Sequence, residues 1–135
     1  VPDEITIEIW QHFVQGLIAT NRYFPSSQLL LLDGLPRTIR QADLLLNYLH
    51  IEKIIVLQVE RPDELIKRIQ RRALIEKRTD DMDPAVLKTR LDVYNKETIK
   101  ILKHYPEKLI STFNADQKPL DVLRDVLISL SSLLG

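Results

Sequence analysis

The sequence predicts an α/β fold built on a parallel sheet. Three observations carry that expectation. Residues 28–33 form a short run that is apolar on both faces, as in a strand covered by helices on each side. Two further strand-like runs occur, at 53–60 ("KIIVLQVE") and 109–115. Helical patterns separate the three, in the order α-β-α-β-α-α-β-α, which argues for parallel pairing.

Each element has a local reason. Pro2 and Asp3 make a good helix start, and Ile5, Ile9, Phe13 and Leu17 follow at helical spacing. Residues 21–27 carry turn formers. Thr38 can cap the next helix, and Gln41, three residues on, completes a capping-box pattern. That helix is expected to bury Ile39, Ala42, Leu45 and Leu49. A helix over about 63–76 opens on "RPDE", with acids in its first turn. Asp83-Pro84 begins a long helix to about His104, with Leu87, Leu91, Tyr94 and Ile101 on one side. Leu120, Leu123, Val126, Leu127 and Leu130 mark a closing helix. Trp10 and Tyr94 read as core residues, and His12, His50 and His104 show no metal-ligand spacing. The 135 residues are enough for one domain with a real core.

Composition narrows the function. Nineteen basic and nineteen acidic residues cancel, so there is no global field for nucleic acid or an anionic membrane. Any basic site must be local. With no cysteine, disulfides and thiolate metal sites are excluded, and a reducing, cytoplasmic home is expected. No apolar run approaches the roughly 20 residues that span a bilayer.

The stretch "LLLLDGLPRTIRQA" puts its polar residues at the carboxyl end of a predicted strand, where open parallel sheets bind ligands. Gly34 permits close approach, and Pro36 stiffens the turn. Arg37 offers a planar fork suited to phosphate. Asp33 can hold Mg²⁺ directly or through water. The plain alternative is a strand-to-helix turn with surface charges.

Residues 61–78 hold seven basic side chains against three acidic ones. Arg68 and Arg72 stand four apart, on one helix face. No aromatic lies among them to stack on a base, which argues against nucleic acid. Arg78 is followed by Asp80 and Asp81, and then by Arg90. Each cluster alone also fits a solvated surface.

Together, "DGLPRTIRQA", "RIQRR", "KRTDD" and "RLDVYNKETIKILKHY", in this order and spacing, resemble adenylate kinase, over nearly the whole chain. The resemblance implies a partial P-loop nucleoside-monophosphate-kinase core with a short lid at 73–77, in a single truncated domain spanning 1–135. It implies that Arg37 binds the AMP α-phosphate, that Gly34, Leu35 and Pro36 line AMP, and that Val1 lies beside the AMP base. Gln41 looks like the glutamine that reads the adenine edge. Asp33 matches the acid that orients Mg²⁺ through water. Arg68 and Arg72 resemble the arginines that meet ATP, and Arg78 and Arg90 the pair bridging the transferring phosphoryl group and AMP. Gln117 sits where a backbone carbonyl contacts the ATP adenine. The Arg78 to Arg90 interval looks one residue longer than the family's.

The family's P-loop, G-x-x-x-x-G-K-[ST], does not occur in these 135 residues. The resemblance implies that the P-loop, the first strands and the AMP-binding helices lie upstream of Val1. Three expectations follow. The chain is the C-terminal part of an adenylate kinase catalysing ATP + AMP ⇌ 2 ADP with Mg²⁺; or it is a non-catalytic, P-loop-less nucleotide-binding remnant; or it self-associates through an open sheet edge.

Overall fold

The computed structural model describes residues 1–76 and 83–134. The chain forms two compact units, one of residues 1–51 with 97–104 and the other of residues 52–96 with 105–135.

In the first unit, helix α1 (Asp3–Ala19) carries Asp3 and Glu4 in its first turn, where the helix dipole favours negative charge. It ends at Thr20. Asn21 then takes a left-handed conformation (φ 57°), Arg22 N–H donates to Leu17 O at 2.8 Å, and Asn21 N–H donates to Ile18 O at 3.1 Å. This is a Schellman stop, in which asparagine serves for glycine. Helix α2 (Ile39–Leu45) is capped by Thr38, whose hydroxyl accepts from Gln41 N–H at 3.0 Å. The capping box is completed one residue early: the Gln41 side chain accepts from Arg37 N–H, at 2.8 Å, instead of from Thr38.

The two helices pack through Ile7, Ala42 and Leu45, all buried. Trp10 meets Tyr48 edge-on, with ring centroids 6.4 Å apart. The predicted apolar stripe on α1 is therefore not the face that packs. Ile5, Ile9 and Phe13 are exposed, while Ile7 is buried and Trp10, Val14 and Leu17 are half-buried. Polar contacts from Asp3 to Gln41 and from Glu4 to Arg40 lie at the N-terminal end of the packed face. On α2, Ala42 and Leu45 are buried as expected, but Ile39 is exposed. His104 Nε2 lies 2.6 Å from Asp43 Oδ1.

Residues 28–33 form no strand, which corrects the first of the predicted strands. Leu31 is 79% exposed. A strand exists only when its N–H and C=O groups meet a neighbour's, and an apolar pattern cannot supply that neighbour.

The second unit holds the sheet. Strands β1 (Ile54–Gln58) and β2 (Ile110–Asn114) pair in parallel, with Ile54 opposite Ile110 and Gln58 opposite Asn114. Helices α3 (Pro62–Glu76) and α4 (Pro84–Leu102) lie between them in sequence, as a parallel crossover requires. A turn of 3₁₀ helix, Glu107–Leu109, leads into β2, and α5 (Pro119–Leu134) packs on it. Ala73, Leu87, Tyr105 and Ala115 are buried. Lys53 at the start of β1 donates to the Ser129 hydroxyl of α5. Tyr94, predicted as core, is 66% exposed on α4.

Candidate functional site

In the first unit the turn after residue 33 is shaped by Gly34, whose φ of 90° disfavours any side chain. The Leu35–Pro36 peptide is cis. Arg37 folds back, and its Nε donates to Gly34 O at 2.9 Å. That bond orients the guanidinium plane and leaves its two terminal amino groups without a partner among the described residues. A fork held in this way is preorganised to bind two oxygens of one anion. Asp33 is an exposed carboxylate at the start of the same turn. Among the described residues no group of three or more acids or histidines is arranged to hold a metal.

Gln41 is buried, and both ends of its amide are engaged. Oε1 accepts from Arg37 N–H, and Nε2 donates to Asp3 Oδ1 at 3.0 Å. Beside it, Arg40 Nε donates to Glu4 Oε1 at 2.9 Å. Glu4's carboxyl lies below its ordinary value, because its own backbone N–H and then Arg40 stabilise the charged form. Val1 is 95% exposed.

In the second unit the interest lies beyond the carboxyl ends of the strands. Ala115 N–H donates to Gln58 O at 2.8 Å, and Glu60 N–H donates to Asp116 Oδ2 at 2.9 Å. A cleft there is lined by Gln58, Glu60, Thr112, Phe113 and Asn114. Arg68, on α3, donates from Nη1 to Ala115 O at 2.5 Å. The structure thus joins Arg68 to the loop that carries Gln117. Arg72, one turn further along α3, pairs with Glu76 at 3.1 Å. Arg90 is exposed on α4. Arg78, with Asp80 and Asp81, lies outside the described residues, as does Lys77 of the expected lid; Ala73 to Glu76 form the last turn of α3.

Gln117 donates from Nε2 to Asp125 Oδ2 at 2.6 Å and to Asn114 O at 3.0 Å, fixing the loop onto α5. The Gln117 bond, with Arg124 also contributing, holds the Asp125 carboxyl below its ordinary value. A depressed carboxylate stabilises the fold fully above its unfolded pKa, and that contribution is lost as pH falls through the folded value. In Gln117→Leu, Asp125 should titrate closer to the usual carboxylate range. Carbon-detected NMR of the side-chain carboxyl reads this directly, and an unmoved midpoint would remove Gln117 as the cause.

Sequence reading did not find Asp3, which it took only as a helix start, nor Ala115 O as the acceptor for Arg68. Neither partner leaves a local signal, since 38 and 47 residues separate the members of each pair.

Parallel pairing, a two-helix crossover and flanking helices place the chain in the α/β class, as a partial nucleoside-monophosphate-kinase core. Comparison with known proteins narrows the class. The adenylate kinase of Ureaplasma urealyticum is 31% identical over 154 residues, covering 93% of this chain and 68% of that protein. The adenylate kinase of a Cyanothece species is 32% identical over 142 residues, covering all of this chain and 68% of its own length. That of Leptospira biflexa is 36% identical over 109 residues, 78% of this chain. The chain spans 54% of the length of this Leptospira relative. No family model matches. On these relationships the chain belongs to the adenylate kinase family. No helix among the described residues is long and apolar enough to cross a membrane.

Proposed function

We propose that this chain is the nucleotide-binding C-terminal portion of a kinase catalysing ATP + AMP ⇌ 2 ADP, one domain across residues 1–135. The observation that carries the reading is the Gly34–Arg37–Gln41 turn, where an oriented guanidinium fork stands four residues from a buried amide. Arg37 takes the AMP α-phosphate, Gly34, Leu35, Pro36 and Val1 line the nucleotide, and Gln41 reads the adenine edge. Arg68 and Arg72 meet ATP, with the Gln117 backbone at its adenine. Arg78 and Arg90 span the two nucleotides, and residues 73–77 serve as a short lid.

Such a transfer asks little covalent chemistry of the protein. It needs donor and acceptor held in line and fixed positive charge about the oxygens. Arginine suits the second task, because its charge is permanent and its donors are planar. Closing arginines over the phosphates excludes water, which strengthens each contact. Mg²⁺ is held by few protein carboxylates together with nucleotide phosphates and water, so a single exposed Asp33 fits a water-mediated role. When bound, the ion neutralises phosphate charge. The P-loop lysine has no counterpart in these residues, so turnover belongs to a polypeptide that supplies one.

A coupled assay for ADP formation from ATP, AMP and Mg²⁺ tests this. The 135-residue chain alone should show no turnover, and a complete kinase containing this sequence should show it. An inactive complete kinase would leave the binding-remnant reading in its place.

A further inference from the structure

We infer that Asp3 is a positioning residue for base selection, holding the Gln41 amide in the one orientation that suits adenine; this rests on the reading of Gln41 given above. An amide has two acceptor lone pairs on Oε1 and two donor hydrogens on Nε2. Here one of each is committed within the chain. Arg37 N–H can only donate, so it fixes the oxygen on its side. Asp3 Oδ1 accepts from Nε2, which fixes the amino group on the other side. One Oε1 lone pair and one Nε2 hydrogen remain.

That remainder is directional. Adenine presents an amino donor beside an unprotonated ring nitrogen, matching an oxygen acceptor beside an N–H donor. Hypoxanthine presents the reverse, a carbonyl oxygen beside a ring N–H. A glutamine free to rotate by half a turn serves both bases equally. A glutamine locked at both ends serves only adenine when the nucleotide is itself held in one orientation by its phosphate on Arg37. The lock also has a firm footing. Thr38 holds the Gln41 backbone N–H at 3.0 Å, Gln41 is 6% exposed, and the adjacent Glu4–Arg40 pair fastens the first turn of α1 to α2. Asp3 thus acts through Gln41, at 38 residues' separation, and needs no contact with the nucleotide.

The test is Asp3→Asn, whose side chain can offer either an oxygen or an amino group to Gln41. In the complete kinase, the ratio of kcat/KM for AMP over IMP should fall about tenfold or more, as a polar site that loses its forced pattern loses discrimination. KM for the monophosphate should carry the change, with KM for ATP little moved. Asp3→Glu, which keeps an acceptor-only group, should retain most of the ratio. In the 135-residue chain, ¹⁵N NMR should show the Gln41 side-chain amide shifting in Asp3→Asn without loss of the folded spectrum. If Gln41→Ala collapses the AMP/IMP ratio while Asp3→Asn leaves it intact, the positioning role is wrong and the Gln41 reading stands. If both variants leave the ratio intact, the Gln41 reading fails and this inference goes with it. Equal rises in KM for ATP and AMP would mark Asp3 as merely structural, which also overturns it.

Discussion

In the complete kinase, Arg37→Ala is expected to raise KM for AMP by roughly ten- to a hundredfold and to leave KM for ATP nearly unchanged. The magnitude follows from losing charged hydrogen bonds worth about 1.5–3 kcal/mol, where about 1.4 kcal/mol is tenfold. The asymmetry follows from the roles proposed above. Arg37, held in the Gly34 turn by its own Nε bond, is assigned to AMP, and Arg68 and Arg72 on α3 are assigned to ATP. Arg37→Lys should also be damaging, because lysine lacks both the Nε donor that meets Gly34 O and the second terminal amino group. Steady-state kinetics with each nucleotide varied in turn reads both effects. Equal losses for AMP and ATP would remove Arg37 from the AMP site.

Leu45→Ala is expected to destabilise the chain by about 2–5 kcal/mol, the usual cost of removing a fully buried leucine and leaving a cavity. Leu45 is 1% exposed, and Ile7 and Ala42, also buried, belong to the same pair of packed helices. α2 has only seven residues, too short to persist without packing. Loss of Leu45 therefore removes the main reason for the helix that presents Gln41. Leu46→Ala, at a half-exposed neighbour, should stay within about 0.5 kcal/mol of the parent. Urea unfolding followed by circular dichroism compares them; similar midpoints for the two variants would contradict this packing.

Most of the helices were legible in the sequence, because their signals are local. Pro84 begins α4 as predicted, Thr38 caps α2, and the acids of "RPDE" open α3. The strands at 54–58 and 110–114 were legible for the same reason, as short apolar runs between helical patterns. The run at 28–33 carries an equally good pattern and forms no strand. Apolar character states that a segment tolerates burial, but pairing needs a second backbone at the right distance, and no residue in the run encodes that. On α1 the spacing of Ile5, Ile9, Phe13 and Leu17 announced the helix but not the face that packs: Ile7 is buried, and Ile5, Ile9 and Phe13 are exposed.

The candidate site divides along the same line. Residue type marked Arg37 as a phosphate candidate and spacing put Arg68 and Arg72 on one helix face, whereas the base-reading role of Gln41 came only with the family resemblance. Direction was invisible. That Arg37 turns its Nε back to Gly34, that Arg68 reaches Ala115 O, and that Asp3 and Arg37 N–H hold the two ends of one amide all depend on hydrogen bonds. Hydrogen bonds are short and directional, so two of these arrangements arise only once folding has brought residues 38 and 47 positions apart within 3 Å of each other. The sequence supplies the donors and acceptors; the packed chain decides which of them face one another.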